Sequence, residues 1–339
     1  MKQILFTRLN TAELLDVPDA ALPAGGVRVR TAYSTISCGT ERANITGDLN
    51  INIGAPADPT KPLFPRSAGY SSSGIVEAVG EAVTGIAPGD RVAMFASSHK
   101  SVNILPASNV VKLPDGVSLE AAALCYIASF SMAPVRKTRV ELGESAIVMG
   151  QGILGQFAVR FLRAAGAMPL IAVDPVASRR DAALKGGADY ALDPTAPDFA
   201  ETVKRLTGGG ANVCIEVTGR GEGFDQALDC MARFGRVALL GCTRDKDFTI
   251  DYYRKIHGPG ITIIGAHTLA RPSKESSPGW FTHRDDIAAI LRLMAGGRVD
   301  LASLITETVS PLDCTAVYTR LVNDKNFGPV VQFNWEGIE

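Results

Sequence analysis

The chain has 339 residues, of which 46% are hydrophobic and 20% are charged, and its formal net charge is −1. This length suffices for two domains, and the apolar fraction suffices to fill their cores. Acidic and basic residues are interspersed, which argues against a nucleic-acid-binding surface and favours a small molecule as the partner. There is no apolar run of the ~20 residues that span a bilayer, and residues 1–8 lack the apolar core of a signal peptide. The six cysteines occur singly, so we expect them to be reduced thiols. Together with the lack of a spanning segment, this makes a cytoplasmic protein that contacts no membrane the expectation.

The first ~120 residues have the pattern of short β-strands. Apolar and polar residues alternate over 27–33, and a second apolar run covers 91–95. Glycine, proline and aspartate punctuate these runs, as is typical of loops between strands. Residues 49–65 contain four prolines and are predicted as a surface loop.

From Leu119 onward, alanine-rich helical stretches alternate with short β-branched runs. The predicted strands are 146–149, 170–173, 213–217, 237–240 and 261–264. Near-continuous apolar strands separated by helices indicate an α/β domain with a doubly wound parallel sheet. An amphipathic helix at 285–295 and a strand at 330–333 follow, and the strand could return to the first domain. We predict a discontinuous domain of residues 1–119 with 268–339, and a second domain of residues 120–267.

One glycine motif predicts a dinucleotide site. Gly150, Gly152 and Gly155 directly follow a predicted strand and open a predicted helix over 153–165. The first glycine permits the tight turn, the second lets the backbone approach a pyrophosphate, and the third allows close packing of helix on strand. The helix N-terminus, beginning at Ile153 and Leu154, offers unpaired N–H groups to the anion.

Asp174 ends the next predicted strand, 19 residues after Gly155. A carboxylate there accepts hydrogen bonds from both hydroxyls of the adenosine ribose and repels a 2′-phosphate. This position favours NAD over NADP, although Arg179 and Arg180 follow within two helical turns. The alternative interpretation is an ordinary βα turn in which Asp174 caps the helix.

The chain resembles the medium-chain dehydrogenase/reductase superfamily. The motifs that carry the resemblance occur in order along the whole chain: Ser37 to Glu41, Gly69 to Gly80, Pro88 to Val92, the Gly150 motif, Glu216 to Gly219, and Gly235 to Val237. The resemblance implies a GroES-like catalytic domain, a Rossmann domain and an active site in the cleft between them. It also adds Thr218 and Gly241 to the expected cofactor contacts.

The departures from this pattern concern zinc. The resemblance places zinc ligands at Cys38, at Tyr70 and Ser71, and near 123–127, but tyrosine and serine replace the usual His-Glu pair and the third region lacks a carboxylate. A catalytic zinc needs three ligands drawn from thiolate, imidazole and carboxylate. Residues 92–105 contain no cysteine, so the structural zinc lobe is missing as well. The chain resembles a metal-free branch of the superfamily, and we expect no metal; the alternative is a Cys38–Cys125 pair that recruits a histidine.

Without zinc, hydrogen-bond donors must stabilise the charge that develops on the substrate oxygen. Thr40 matches the hydroxyl that begins the family's proton relay, and Tyr70 stands at a zinc-ligand position, so both are candidate catalytic residues. Cys38 is a third candidate, although a buried thiol without a metal is the simpler interpretation. Glu41 is interpreted either as a proton acceptor or as a structural partner of Arg42, and the structural interpretation is favoured.

Histidine is the side chain best suited to acid–base work near neutral pH. His99 follows a predicted strand and His267 leaves the last Rossmann strand, so both are candidate catalytic residues. His257 and His283 are interpreted as solvated loop residues. The loop 269–284, rich in Arg, Ser, Pro and Lys and carrying Trp280, is expected either to recognise a polyhydroxylated substrate or to form a surface or oligomer contact.

The leading hypothesis is an NAD-dependent oxidoreductase that exchanges a hydride with a small polar alcohol or ketone, such as a sugar or polyol. Two alternatives stay open: a quinone or enone reductase that uses NAD(P)H, and a dinucleotide-binding protein with little catalysis. Related Rossmann domains pair through the edge strand at 261–264, so the resemblance implies a homodimer or homotetramer, in which pairing would cover this apolar edge.

Overall fold

The computed structural model describes residues 1–51, 58, 60–243, 247–324 and 327–338. They divide into two compact units, Ala128–Asp286 and Met1–Ile127 with the described residues from Ile287 onward. The predicted domain limits, 1–119 with 268–339 and 120–267, stay a prediction, because compactness alone does not test where family domains end. Within the described residues, no helix combines the length and the apolar character that a membrane crossing requires.

Strands predominate in the described residues up to 118, and strands alternate with helices from 119 to 265, as the sequence predicts. The strands are β1 Lys2–Arg8, β2 Thr11–Asp16, β3 Gly26–Thr35, β4 Arg66–Ser67, β5 Ser71–Val79, β6 Arg91–Phe95, β7 Val102–Pro106, β8 Val110–Lys112, β9 Ala146–Met149, β10 Leu170–Val173, β11 Tyr190–Leu192, β12 Ala211–Glu216, β13 Met231–Leu239, β14 Thr262–Gly265, β15 Glu307–Val309 and β16 Val331–Asn334. The helices are α1 Cys38–Ile45, α2 Leu119–Ala122, α3 Cys125–Lys137, α4 Ile153–Ala165, α5 Ala177–Lys185, α6 Phe199–Thr207, α7 Gly221–Asp229, α8 His283–Ala295 and α9 Cys314–Asn323.

The unit Ala128–Asp286 is built on a parallel sheet in which the described strands have the order β11-β10-β9-β12-β13-β14. This is the doubly wound Rossmann order, so the predicted fold class is confirmed. Every residue of β9 and β10 is buried, as expected for strands covered on both faces. Met149 pairs with Val173 and with Glu216, so these strands end level with one another. The loops that follow them therefore meet at one edge of the sheet.

The β-rich unit contains a larger sheet in the order β15-β16-β3-β5-β6-β8, with β7 also paired to β3, and a smaller sheet in the order β2-β1-β4. Strands β3 and β5 are antiparallel, and Thr35 at the end of β3 pairs with Ser71 at the start of β5. The segment that follows β3 and the segment that precedes β5 are therefore neighbours. These segments carry Ser37 and Tyr70.

Two details concern predicted loops. The predicted surface loop at 49–65 lies partly outside the described residues, and its first residues, Leu49–Ile51, form a short 3₁₀ helix. The interpretation of His283 as a solvated loop residue is wrong, because His283 begins α8. Its Nδ1 lies 3.2 Å from Ser129 Oγ, and burial, reinforced by the charge of Arg271, lowers its pKa to about 3.

Candidate functional site

The glycine turn after β9 has the geometry that a dinucleotide needs. Gly150 has φ +93°, a conformation that glycine adopts without the strain a side chain would bring. A Cβ on Gly155 would lie 1.9 Å from the carbonyl oxygen of Gly150, so only glycine lets α4 approach the turn this closely. A Cβ on Gly152 would meet no heavy atom within 4 Å. Two glycines thus hold the turn together, and the third borders open space that a pyrophosphate could occupy.

The helix that opens from this turn is suited to an anion. Gly152 is the N-cap residue of α4 and has no side chain with which to cap the first N–H groups. Ile153 and Leu154 begin the helix and are partly exposed. The helix dipole adds positive potential at the same place. The residues present therefore fit a bound dinucleotide.

Asp174 connects the glycine turn to the end of β10. It is only 3% exposed, and its two carboxylate oxygens accept from the N–H groups of Gln151 at 2.8 Å and Val176 at 2.9 Å. Each carboxylate oxygen can accept a further hydrogen bond, so a ribose hydroxyl still finds acceptors there. Arg179 Nη1 lies 3.7 Å from Asp174 Oδ2 with its side chain 43% exposed. The sequence identified the acid, but nothing in the motif indicated its bond to Gln151.

The loops after β12 and β13 pack against the glycine turn. Glu216 accepts from the N–H groups of Thr218 at 2.7 Å and Gly219 at 3.3 Å, and burial raises its pKa. A Cβ on Gly241 would lie 2.3 Å from the nitrogen of Gly219, so the two loops touch backbone to backbone. A Cβ on Gly150 would lie 3.3 Å from Thr218. The predicted cofactor residues Thr218 and Gly241 are therefore brought together beside the predicted pyrophosphate position.

A cluster of hydroxyl groups occupies the β-rich unit where the family pattern has a zinc ligand. The phenol of Tyr70 donates to Ser37 Oγ, and Thr40 also forms a hydrogen bond with it. The surrounding protein raises the pKa of Tyr70 far above its usual range, because burial outweighs the hydrogen bonds from Ser37 and Thr40. The phenol therefore keeps its proton at neutral pH and can act as a donor. Tyr126 packs edge-on against the Tyr70 ring at 5.6 Å.

Ser37 is the member of this cluster that sequence reasoning missed. It precedes Cys38 and stands at the N-cap position of α1. A hydroxyl residue at a helix start is usually explained by capping, but the Ser37 side chain makes no capping hydrogen bond and instead accepts from Tyr70. Its position inside the Ser37–Glu41 motif was the signal that could have revealed it.

The side chains at the other expected zinc-ligand positions are engaged elsewhere. Ser71 Oγ donates to the carbonyl of Ala123 at 2.7 Å, and Cys38 Sγ lies within 4.0 Å of the carbonyls of Ile36, Gly328 and Pro329. Cys125 is fully buried, which raises the pKa of its thiol, and its Sγ lies 3.9 Å from Met294 Sδ. Among the residues that the structure describes, there is no group of three or more His, Cys, Asp or Glu side chains that could hold a metal ion. These donors do not fit a catalytic zinc, whether with the Tyr70–Ser71 pair or with Cys38, Cys125 and a histidine.

The two candidate histidines have different environments. His99 has no exposed surface, and its Nε2 lies 3.2 Å from Glu41 Oε2. His267 follows β14 and is partly exposed, and its Nδ1 accepts from the N–H of Leu269 at 3.2 Å. That bond assigns the remaining proton to Nε2. Burial, reinforced by the Lys137 charge, lowers the pKa of His267, so its ring is neutral at pH 7 and Nε2–H is a donor.

The predicted loop at 269–284, whose last two residues lie in α8, is bonded to other residues of its own unit. Arg271 forms an ion pair with the fully buried Asp286 at 3.0 Å and donates to the carbonyl of Ser129 at 2.9 Å. The ammonium of Lys137 lies 4.6 Å from the centre of the Trp280 ring. These contacts give the loop a defined conformation. Its role toward a substrate stays a prediction.

The Rossmann strand order, the glycine turn and the acid that ends β10 define a dinucleotide-binding protein. Residues 154–278 match the family model described as zinc-binding dehydrogenase, and residues 23–115 match the alcohol dehydrogenase GroES-like domain. The chain belongs to the medium-chain dehydrogenase/reductase superfamily, as its motifs predicted. Homologues in this superfamily are dehydrogenases that bind NAD(H) or NADP(H) and act on alcohols.

Relatives with assigned names cover nearly the whole chain. D-guloside 3-dehydrogenase of Escherichia coli (strain K12) is 28% identical over 339 residues, which cover 95% of this chain and 96% of that protein. L-threonine 3-dehydrogenase of Pyrococcus horikoshii is 27% identical over 350 residues, covering 94% of each chain. The crystal structure of 2R,3R-butanediol dehydrogenase from Bacillus subtilis matches with a TM-score of 0.81 at 22% identity, covering 98% of this chain and 99% of that one. This last likeness shows the fold.

Proposed function

We propose that this protein is an NAD(H)-dependent oxidoreductase that interconverts a small polar alcohol and its ketone without a catalytic zinc. The observation that carries the proposal is the protonated Tyr70 phenol, hydrogen-bonded to Ser37 and Thr40 at a zinc-ligand position of the family pattern. A donor at this position can stabilise negative charge on a substrate oxygen, the task that zinc performs in other members.

In the direction of ketone reduction, the Tyr70 O–H rotates from Ser37 Oγ to the carbonyl oxygen, and it transfers its proton as charge develops there. The Ser37 hydroxyl can then turn its own proton toward the Tyr70 oxygen. The hydroxyls of Ser37 and Thr40 stabilise the phenolate that this transfer leaves behind, since their hydrogen bonds lower the pKa of Tyr70 relative to burial alone. Alcohol oxidation uses the same groups in reverse. When bound, the nicotinamide supplies or accepts the hydride. His267 is a second candidate donor, because its ring is neutral and carries its proton on Nε2.

The choice of NAD over NADP rests on Asp174. A buried carboxylate at the end of β10 favours two ribose hydroxyls and repels a phosphate dianion. The relatives named D-guloside 3-dehydrogenase and L-threonine 3-dehydrogenase support a polar, hydroxyl-bearing substrate. We also propose a cytoplasmic homodimer or homotetramer, since β14 is the last strand in the described order of its sheet and pairing would cover it.

The test compares Tyr70→Phe with the control Tyr126→Phe. The control removes the hydroxyl of a tyrosine whose ring packs against that of Tyr70. Steady-state turnover is measured with NAD(H) and NADP(H) on a panel of sugars, polyols, ketones and enones, and the metal content of the protein is determined. We expect Tyr70→Phe to lower kcat about 100-fold or more, with the Kd for NADH unchanged, and Tyr126→Phe to retain most activity.

Each outcome assigns a function. Stoichiometric zinc, with activity lost on chelation, would overturn the metal-free mechanism. Turnover of enones alone would establish the reductase alternative, and NADH binding without turnover on any substrate would favour the binding protein. Equal effects of the two tyrosine variants would remove Tyr70 from the mechanism.

A further inference from the structure

The interior of the β-rich unit contains a hydrogen-bonded chain centred on one carboxylate. Glu41 is 2% exposed, and its Oε1 accepts from the N–H of Ser37 at 2.8 Å. Its Oε2 accepts from the phenol of Tyr318 and lies 3.2 Å from His99 Nε2. His99 and Tyr318 have no exposed surface at all. Glu41 is thus a buried acceptor with three donors around it, and it is not paired with Arg42, whose Nε donates to the carbonyl of Leu321 at 2.8 Å.

One consistent set of donors and acceptors can be written for this chain. Trp335 Nε1–H can only donate, and it donates to Ser34 Oγ at 2.8 Å. The Ser34 hydroxyl can then donate to His99 Nδ1, which lies 2.7 Å away. With Nδ1 as an acceptor, the proton of the imidazole is on Nε2 and points to Glu41. In this arrangement each donor of the chain meets an acceptor.

His99 also contacts the segment that carries Tyr70. Its backbone N–H donates to the carbonyl of Ala68 at 2.8 Å. Its ring presses on Gly69, where a Cβ would lie 2.5 Å from the imidazole. Gly69 has φ +78°, so both the contact and the conformation require glycine. Tyr70 is the next residue, so a shift of the imidazole would move the backbone from which Tyr70 projects.

From these contacts we propose that the Glu41–His99 pair is a positioning device for the hydroxyl cluster of Tyr70, Ser37 and Thr40. Glu41 holds the segment that carries Ser37 and Thr40, and His99 holds the segment that carries Tyr70. The bond between the two side chains fixes these segments relative to each other. Both residues are buried, so they act through the cluster and not by contact with substrate. The kinetic part of this inference rests on the proposed function, whereas the structural part does not.

The kinetic test uses His99→Gln and Glu41→Gln, with Val110→Ala as the control. Val110 is fully buried in a separate apolar cluster of the same unit, so its truncation destabilises the unit without touching Glu41 or His99. An error of ~1 Å at a reacting group can cost about 100-fold in rate. We expect kcat/KM to fall about 10- to 100-fold in His99→Gln with the Kd for NADH unchanged, and to stay within about twofold in Val110→Ala. Glu41→Gln keeps an acceptor for Ser37 and should lose less than His99→Gln.

A second readout is independent of activity. The protein is labelled with 3-fluorotyrosine, and the ¹⁹F resonance of Tyr70 is assigned by its disappearance in Tyr70→Phe. We expect this resonance to shift in His99→Gln and in Glu41→Gln but not in Val110→Ala. An unmoved Tyr70 resonance in both pair variants would overturn the inference, as would kcat/KM values equal to that of the control. If the wild-type protein has no turnover, the proposed function fails, while the resonance still decides the positioning role. Should His99→Gln not fold, Glu41→Gln alone decides.

Discussion

Adding one methyl group at either of two neighbouring glycines separates the folding role of the glycine turn from its binding role. The Cβ of Gly155→Ala would lie 1.9 Å from the carbonyl oxygen of Gly150, where real Cβ atoms essentially never come within 3.0 Å. The Cβ of Gly152→Ala would meet nothing within 4 Å. The two substitutions are chemically identical and three residues apart, so each controls for the other.

The magnitudes follow from these distances. Overpacking a closed site costs about 1–3 kcal/mol, and we expect Gly155→Ala at the upper end because the obstacle is a backbone oxygen and not a flexible side chain. For a unit of this size, each kcal/mol lowers Tm by about 2–4 °C, so the expected loss is about 6–12 °C. Gly152 has φ −68° and ψ −173°, which alanine adopts without strain. Alanine caps a helix less well than glycine but also restricts the unfolded chain, and these effects of about 1 kcal/mol oppose each other.

Gly152→Ala should leave stability unchanged but weaken the binding of NADH. A methyl group there projects into the space predicted for the pyrophosphate, and we expect the Kd for NADH to rise about 10-fold or more, equivalent to about 1.4 kcal/mol. The assays are differential scanning fluorimetry without cofactor and titration of NADH fluorescence. Gly152→Ala should be stable and bind weakly. Gly155→Ala should have a lowered Tm already in the absence of cofactor.

Two results would refute this reasoning. NADH binding of wild-type strength in Gly152→Ala would show that the pyrophosphate does not approach this glycine. Wild-type stability in Gly155→Ala would show that α4 does not pack on the turn as closely as the 1.9 Å separation indicates.

Three further predictions follow from single features. Asp174→Ala should raise kcat/KM for NADP(H) relative to NAD(H) at least 10-fold, and an unchanged ratio measured with both cofactors would contradict the assigned role. Burial, reinforced by the charge of Arg271, lowers the pKa of His283 from 6.5 to about 3. Below pH 6.5 the unfolded chain therefore binds a proton that the folded chain does not bind. The free energy of unfolding falls as pH decreases from 6.5 toward 3. At about 1.36 kcal/mol per pH unit, discounted for partial exposure, this amounts to about 2–3 kcal/mol, and urea unfolding across this range should be flatter for His283→Gln but not for the exposed control His257→Gln. Light scattering should give at least twice the mass of one chain, and a monomer would exclude pairing through β14.

The strand, glycine turn and helix of the predicted cofactor site could be predicted from the sequence because their backbone requirements are local. The glycine spacing, the apolar strand before it and the acid after the next strand each impose a backbone requirement within a few residues. The predicted strand 146–149 and helix 153–165 have these same limits in the structure. What the sequence could not give was the bond from Gln151 to Asp174, because it depends on how closely β9 and β10 end level with each other.

The chemistry of the β-rich unit was harder to predict because its contacts join distant parts of the chain. Glu41 bonds His99 and Tyr318, 58 and 277 residues away, and no periodicity or spacing marks such a set. A histidine near a strand end is a candidate acid or base on its residue type. Its complete burial is a property of tertiary packing, which residue type and neighbours do not reveal.

The buried Glu41 gives a physical reason why the proposed zinc-independent site can be ordered by the protein alone. A carboxylate removed from water is costly unless donors surround it, so the fold must supply them wherever the acid is retained. Here Ser37, Tyr318 and His99 supply them, and the same bonds fix the segments on either side of Tyr70. A metal-free site needs rigid donors even more than a zinc site does, because a hydrogen bond to a developing charge weakens steeply with misalignment. The glutamate that the sequence offered as a structural residue is therefore where the rigidity required by the proposed chemistry would originate.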